Sequence, residues 1–223
     1  MLEPQTLSFL KSIKKNNNKA WFDANRSKYE AARIDFSNFI QLVIEDLQRF
    51  DTTITGLGAK ECLFRMNRDI RFSKDKRPYK ENFGASIKRG GKKSVFAGYY
   101  FHLEPGQSFI GGGLWMPEAA DLKKIRQEID YNWDEFKGII GSKAFKKVYG
   151  DLFRTGEVSL STMPKGYEKD NPAAAYLKLK SLIAETTVAD EDLLKSGLHK
   201  KTIETYKALK PLLDFMNRAL ENE

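Results

Sequence analysis

The sequence predicts an α+β fold: a central antiparallel sheet flanked by helices, with a long amphipathic N-terminal helix and a kinked C-terminal helix. Three observations carry this. Apolar residues recur at helical spacing towards both ends of the chain. The middle changes to alternation and to runs rich in aromatic and β-branched residues. The strand-like segments are grouped between the helical ends rather than interleaved with them, which separates α+β from a wound α/β sheet.

The N-terminal elements follow from spacing. Leu7, Phe9, Leu10 and Ile13 read as a first helix. After the polar turn Asn16-Asn17-Asn18, Phe22, Tyr29, Phe36, Val43 and Phe50 recur every seven residues, and Phe39, Ile40, Ile44 and Leu47 widen the stripe. This predicts one helix from about Lys19 to Phe50, stopped by Asp51-Thr52-Thr53 and the Gly56/Gly58 pair.

The next segment has period two. Cys62, Phe64, Met66, Ile70 and Phe72 alternate with Leu63, Arg65, Asn67, Asp69, Arg71 and Ser73, as in a strand or strand pair with one apolar face that Arg68 breaks, a mark of a bulge or an edge. Ala85–Lys88 offers another short strand, and residues 89–93 an exposed loop. Val95–Leu103 and Ser108–Met116 flank Glu104-Pro105-Gly106-Gln107, whose Pro-Gly centre is the residue order of a type II turn; together they predict a hairpin. Helical spacing returns after Pro117, through Leu122, Ile125 and Ile129, then Trp133 to Ile140, then Phe145 and Val148. Leu160–Pro172 reads as loop and Leu182–Val188 as a strand. Asp190 is suited to cap a short helix. The last helix runs from about His199 to Leu220, where Pro211 should kink or divide it.

Composition bounds the function. The chain has 223 residues, 41% of them hydrophobic and 30% charged, which suits one domain spanning 1–223. Cys62 is the lone cysteine and rules out an intrachain disulfide, so a reducing, cytoplasmic setting is expected. No apolar run approaches the ~20 residues of a membrane span. His102 and His199 lie far apart with no cysteine cluster, so no zinc site is expected, and no cofactor motif is present.

Charge is the informative feature. Residues 65–93 hold eleven basic and three acidic side chains, a surplus equal to the whole chain's +8. Within this stretch, Arg65, Arg68, Asp69, Arg71, Ser73, Lys74, Lys76, Tyr79 and Lys80 are the candidate ligand-binding residues. Guanidinium forks match carboxylate and phosphate oxygens, and Asp69 between Arg68 and Arg71 would hold those forks in place. The same pattern also fits an Arg–Asp network that merely ties strand to loop. Gly112 and Trp115, in Gly111-Gly112-Gly113-Leu114-Trp115, are placed beside the site, because bare backbone permits close approach by a ligand or another chain. Trp21, Phe22, Asn25 and Arg26 form a weaker group, as do Pro164-Lys165-Gly166-Tyr167 and Tyr176–Lys180. Cys62 is expected to be an inert buried thiol.

Several segments together resemble domain-of-unknown-function family 2461. They are Trp21-Phe22, Leu63-Phe64-Arg65, Arg68 through Lys76, Pro78-Tyr79-Lys80, Gly98-Tyr99-Tyr100, Gly111 through Trp115 and Pro164-Lys165-Gly166. The resemblance spans nearly the whole chain and implies one intracellular domain, with no assigned activity. Asn171-Pro172 stands where that family is expected to carry His-Pro, which weakens a role for that loop.

Three functions fit. The first is binding of a phosphorylated or carboxylated small molecule at the basic segment, with arginines and Tyr79 or a lysine available to an enzyme of unassigned reaction. The second is nucleic-acid binding, since Phe72, Tyr79, Phe83 and Phe96 interleave with the basic residues. The third is docking of an acidic protein partner. No membrane partner is expected.

Overall fold

The computed structural model describes residues 1–221. Its backbone clusters into two compact units. The first comprises Met1–Lys92, Tyr100–Ile110 and Thr187–Glu204; the second comprises Lys93–Tyr99, Gly111–Thr186 and the chain from Thr205 onward. In chain order the helices are α1 (Pro4–Lys15), α2 (Lys19–Ala24), α3 (Arg26–Leu47), α4 (Ala59–Cys62), α5 (Ala119–Tyr131), α6 (Trp133–Gly141), α7 (Lys143–Tyr149), α8 (Ala174–Leu177), α9 (Asp190–Leu193) and α10 (Leu198–Glu221). The strands β1 (Phe83–Ile87), β2 (Gly98–Leu103), β3 (Phe109–Leu114) and β4 (Leu182–Thr187) form one antiparallel sheet in the order β1-β2-β3-β4. The α+β class is as the sequence predicts.

The core of the first unit is aromatic. Helices α1 and α3 bury Leu7, Phe9, Leu10 and Ile13 against a stripe that includes Phe36, Phe39, Ile40, Val43, Ile44 and Leu47. Phe83 of β1 stacks on Phe36 at 5.6 Å, and Phe39 meets Phe101 of β2 edge-on at 5.2 Å. Each fully buried ring contributes roughly 1.5–3 kcal/mol from area alone. In the second unit, Phe136 packs on Phe215 and Tyr99 on Tyr206.

The single helix predicted over 19–50 is two. Asn18 caps α2 by accepting from Trp21 N at 3.0 Å, and the Asn25 side chain donates back to Trp21 O at 2.9 Å. That local bond ends α2 at Asn25, where φ is −115° and ψ is 21°, and α3 starts at the next residue. Phe50 lies beyond the end of α3.

The strand predicted over Cys62–Phe72 is not formed. Cys62 closes α4, whose Glu61 carboxylate accepts from Gly58 N at 3.1 Å. Residues 63–68 instead run antiparallel to 78–85 as an irregular arm. Phe64 N donates to Gly84 O, Arg68 N to Pro78 O and Lys80 N to Met66 O, at 2.8–3.0 Å, with isolated bridges at Leu63–Ala85 and Asn67–Tyr79. Two local turns replace the ladder at the tip. Asp69 Oδ1 accepts from Arg71 N and Asp75 Oδ1 from Arg77 N, the two-residue bond by which aspartate competes with extended pairing. The apolar face is likewise incomplete: Met66 is buried, but Phe72 is 96% exposed. Asn17 fastens the arm, its Nδ2 donating to Tyr79 O at 2.9 Å and its Oδ1 accepting from Tyr79 N at 3.0 Å.

The hairpin forms as predicted. Gly106 takes φ +78° and Gln107 N donates to Glu104 O at 2.9 Å. Helix α5 starts at Ala119 with Glu118 at its N-cap. Two further details differ. Asp190 does not cap α9, because its carboxylate accepts from Gly106 N at 2.8 Å and pairs with Lys11 at 3.1 Å. Pro211 does not divide α10, which is helical on both sides of it. Proline inside a helix costs about 3 kcal/mol, and the buried Tyr206, Leu209, Leu212, Leu213, Phe215 and Met216 hold the helix through it. Among the described residues no helix is long and apolar enough to cross a membrane.

Candidate functional site

The alternation of β2 positions the groups with the most chemistry. Tyr99, Phe101 and Leu103 are buried; Tyr100 and His102 occupy the opposite face and are half-buried. His102 Nε2 lies 3.2 Å from Glu104 Oε2. Its Nδ1 lies 3.3 Å from Tyr100 Oη and 3.5 Å from Asn82 Nδ2. The imidazole stacks on Phe109 with ring centres 4.7 Å apart, which sets its plane.

Protonation follows from this surrounding. Burial lowers the His102 pKa, and the nearby Lys80 charge acts in the same direction; the bond and charge of Glu104 oppose them without prevailing. The ring is therefore neutral at pH 7. Glu104 can only accept, so the single ring proton belongs on Nε2, leaving Nδ1 as an acceptor for Tyr100 and Asn82. Burial pushes the Tyr100 phenol up to about 12, so it keeps its proton and can donate. Glu104 also takes a bond from Lys14 Nζ at 3.3 Å. Gly84 makes room for the phenol: a Cβ there would stand 2.6 Å from Tyr100 Oη.

Lys80 completes the group. Its ammonium sits 5.1 Å over the Phe64 ring, and its pKa is lowered by burial first and then by the Arg65 guanidinium. Beside it opens a shallow cleft of about 220 Å³, bounded by Arg68, Asp75, Arg77, Lys80, Asn82 and Glu104 among others. Asn82 and Glu104, both partners of His102, thus reach the cleft wall.

The sequence-derived residues divide. Arg68, Tyr79 and Lys80 lie around this one cleft. Arg68 pairs with Asp75 at 2.7 Å, not with Asp69, and Arg77 bridges Asp75 and Glu81. Asp69 pairs with Arg71 at 2.7 Å, out on the exposed tip. Ser73, Lys74 and Lys76 lie on the same tip, where Lys76 Nζ donates to Ile70 O at 3.0 Å. Arg65 is exposed. Tyr79 stacks on Phe22 at 4.0 Å, so its ring is largely structural.

Gly112 and Trp115 belong to the second unit. A Cβ on Gly112 would stand 2.2 Å from Gly98 O, and one on Gly111 2.1 Å from Ala184 O. These glycines let strands approach each other. Trp115 is 62% exposed. Trp21 stacks on Phe9 at 6.2 Å, in keeping with a packing role.

Tyr100, His102 and Glu104 are not among the residues that the sequence pattern singles out as a site. Their signal was the two-residue spacing itself, which puts a phenol and an imidazole on one strand face and a carboxylate at the strand's end. Among the described residues no cluster of His, Cys, Asp and Glu is arranged to hold a metal ion.

The family model described as "Conserved hypothetical protein (DUF2461)" matches residues 5–215. No curated protein and no solved structure matches the chain. Because the match takes in β1 to β4 and every residue of the cleft, the chain belongs to the conserved hypothetical protein family DUF2461.

Proposed function

We propose that the protein binds a small phosphorylated or carboxylated molecule in the Lys80 cleft and moves a proton at His102. The observation that carries this reading is the imidazole held between the Glu104 carboxylate at 3.2 Å and the Tyr100 phenol at 3.3 Å, with Glu104 and the Lys80 ammonium on the wall of the same cleft. Lys80 supplies the charge for the ligand, since the groups that shift it include no carboxylate. Arg68 and Arg77 are already engaged by Asp75 and contribute shape and hydrogen bonds rather than net charge. Glu104 orients the ring and stabilises imidazolium when Nδ1 takes a proton, and Tyr100 donates a hydrogen bond to the bare Nδ1. Such a positioned acid–base pair contributes about 10²–10⁴-fold to a rate.

The test is a thermal-shift screen of phosphorylated and carboxylated metabolites against wild type, Lys80→Met and His102→Asn. Ligands should stabilise wild type, lose their effect on Lys80→Met, and still bind His102→Asn while any turnover disappears. Identical profiles for wild type and Lys80→Met would remove the proposal.

A second reading has one observation in its favour. Phe72 is 96% exposed on the basic tip, with the Arg71 guanidinium 5.9 Å from its ring centre. An exposed ring among cations suits stacking on an unpaired base with phosphate contacts alongside. Binding of single-stranded oligonucleotide that weakens as salt rises, and that Phe72→Ala reduces, would favour this reading.

A further inference from the structure

Helix α5 has two working faces. Leu122, Ile125 and Ile129 are buried. A second stripe, Lys123, Arg126, Gln127, Asp130 and Tyr131, lines a cavity of about 310 Å³ together with the 164–167 loop. Offsets of three, four, seven and eight residues place that stripe on one side of the helix. The volume is at the small end for a site that takes a metabolite.

Arg126 anchors the cavity. Its Nε donates to Leu177 O at 2.7 Å and its Nη2 to Leu179 O at 3.0 Å. These two bonds fix the plane of the fork and leave Nη1 without a hydrogen bond among the described residues. Burial lowers the guanidinium's pKa, against an opposing pull from the Tyr167 phenol. The Asp130 carboxylate is taken by Asn171 Nδ2 at 2.6 Å. Lys123 and Lys165 add two exposed cations to the same walls. A half-buried cation solvated by carbonyls alone is costly to hold, and three cations facing one engaged acid make a site short of negative charge.

We propose that this cavity is a ligand site in its own right. It takes a small molecule through a phosphate or carboxylate group held by Arg126 Nη1 and the ammonium groups of Lys123 and Lys165. Both anions present oxygens that suit a guanidinium edge. Tyr131, 79% exposed, offers a ring face to the remainder of the ligand.

The experiment is an NMR titration of the ¹⁵N-labelled full chain with inorganic phosphate and, in a separate arm, with succinate. Saturable shifts are expected for amides of residues 123–131 and 164–167. In Lys123→Ala/Lys165→Ala, whose truncated side chains are exposed and whose melting temperature should be unchanged, affinity should fall about tenfold or more. Arg126→Lys, which keeps the charge but loses the fork, should weaken binding as well. A response to phosphate alone assigns a phosphorylated ligand, and a response to succinate alone a carboxylate. The absence of saturable shifts at these amides with either probe, or undiminished affinity in the double variant, overturns the proposal. Lys80→Met should leave these shifts intact, so failure of the Lys80 cleft and failure of this cavity are told apart.

Discussion

Glu104 meets His102 at 3.2 Å, yet the imidazole titrates below an exposed histidine because burial outweighs the carboxylate. Folding therefore disfavours protonation, and the unfolded chain takes up the proton first. The stability this neutral ring contributes is complete above the unfolded value of about 6.5 and is lost as pH falls from there through the lower folded value. Denaturation of wild type and His102→Asn across pH 4–8 should show a loss on the acid side that is smaller in the variant. Glu104→Gln should move the NMR titration midpoint of His102 lower still.

Gly84 and Tyr100 share one space. Gly84→Ala puts a methyl 2.6 Å from the phenol oxygen, and overpacking of this kind costs about 1–3 kcal/mol. Adding Tyr100→Phe removes the oxygen and should return part of that loss. Urea denaturation of the two single variants and the double variant measures the coupling; strict additivity would separate the two positions.

Asp75 ties down both arginines of the cleft wall, and their bonds hold its carboxyl well below the usual carboxylate range. Asp75→Asn releases Arg68 for a ligand, while Arg77 keeps its pairing with Glu81. Affinity for inorganic phosphate at the Lys80 cleft should rise about tenfold, with a steeper dependence on salt. Calorimetric titration at two ionic strengths checks this.

Cys62 is fully buried, and its thiol is pushed up to about 11 chiefly by burial. The thiolate is the reactive form, so native protein should react with a disulfide reagent far more slowly than unfolded protein. Rates followed across a urea gradient should track the fraction unfolded. Rapid labelling of the native chain would contradict the buried position.

What the sequence made legible follows how local each signal is. The β2–β3 hairpin was readable because Pro105-Gly106 supplies the positive φ that its turn requires. The helical faces were readable from period, and the antiparallel sheet from the aromatic and β-branched run and the returning segment that flank that turn. The break at Asn25 was not, because Phe22 and Tyr29 keep the seven-residue spacing straight through it while a side-chain amide ends the helix. The arm was misread as a strand because residues 62–72 alternate, and the Asp69 turn that helps defeat the ladder involves Asp69 and Arg71, which also read as a polar strand face.

The basic surplus was plain, but its neutralisation was not. Arg68 meets Asp75 only once the tip folds back, seven residues on. His102 was weighed only as a metal ligand. Its partners arrive from the strand end and from β1's approach, at Glu104 and Asn82, and no single-sequence period reports such a meeting.

Asn17 is a chemically sensitive clasp on the arm. Its amide serves as both donor and acceptor to one backbone position, Tyr79. Hydrolysis of that amide to an acid keeps the acceptor and replaces the donor with an oxygen facing a carbonyl oxygen. Asn17→Asp, which makes the same change, should loosen the hold on Tyr79 while the Phe22 ring still packs against it, and should weaken the ligand response of the cleft beside Lys80.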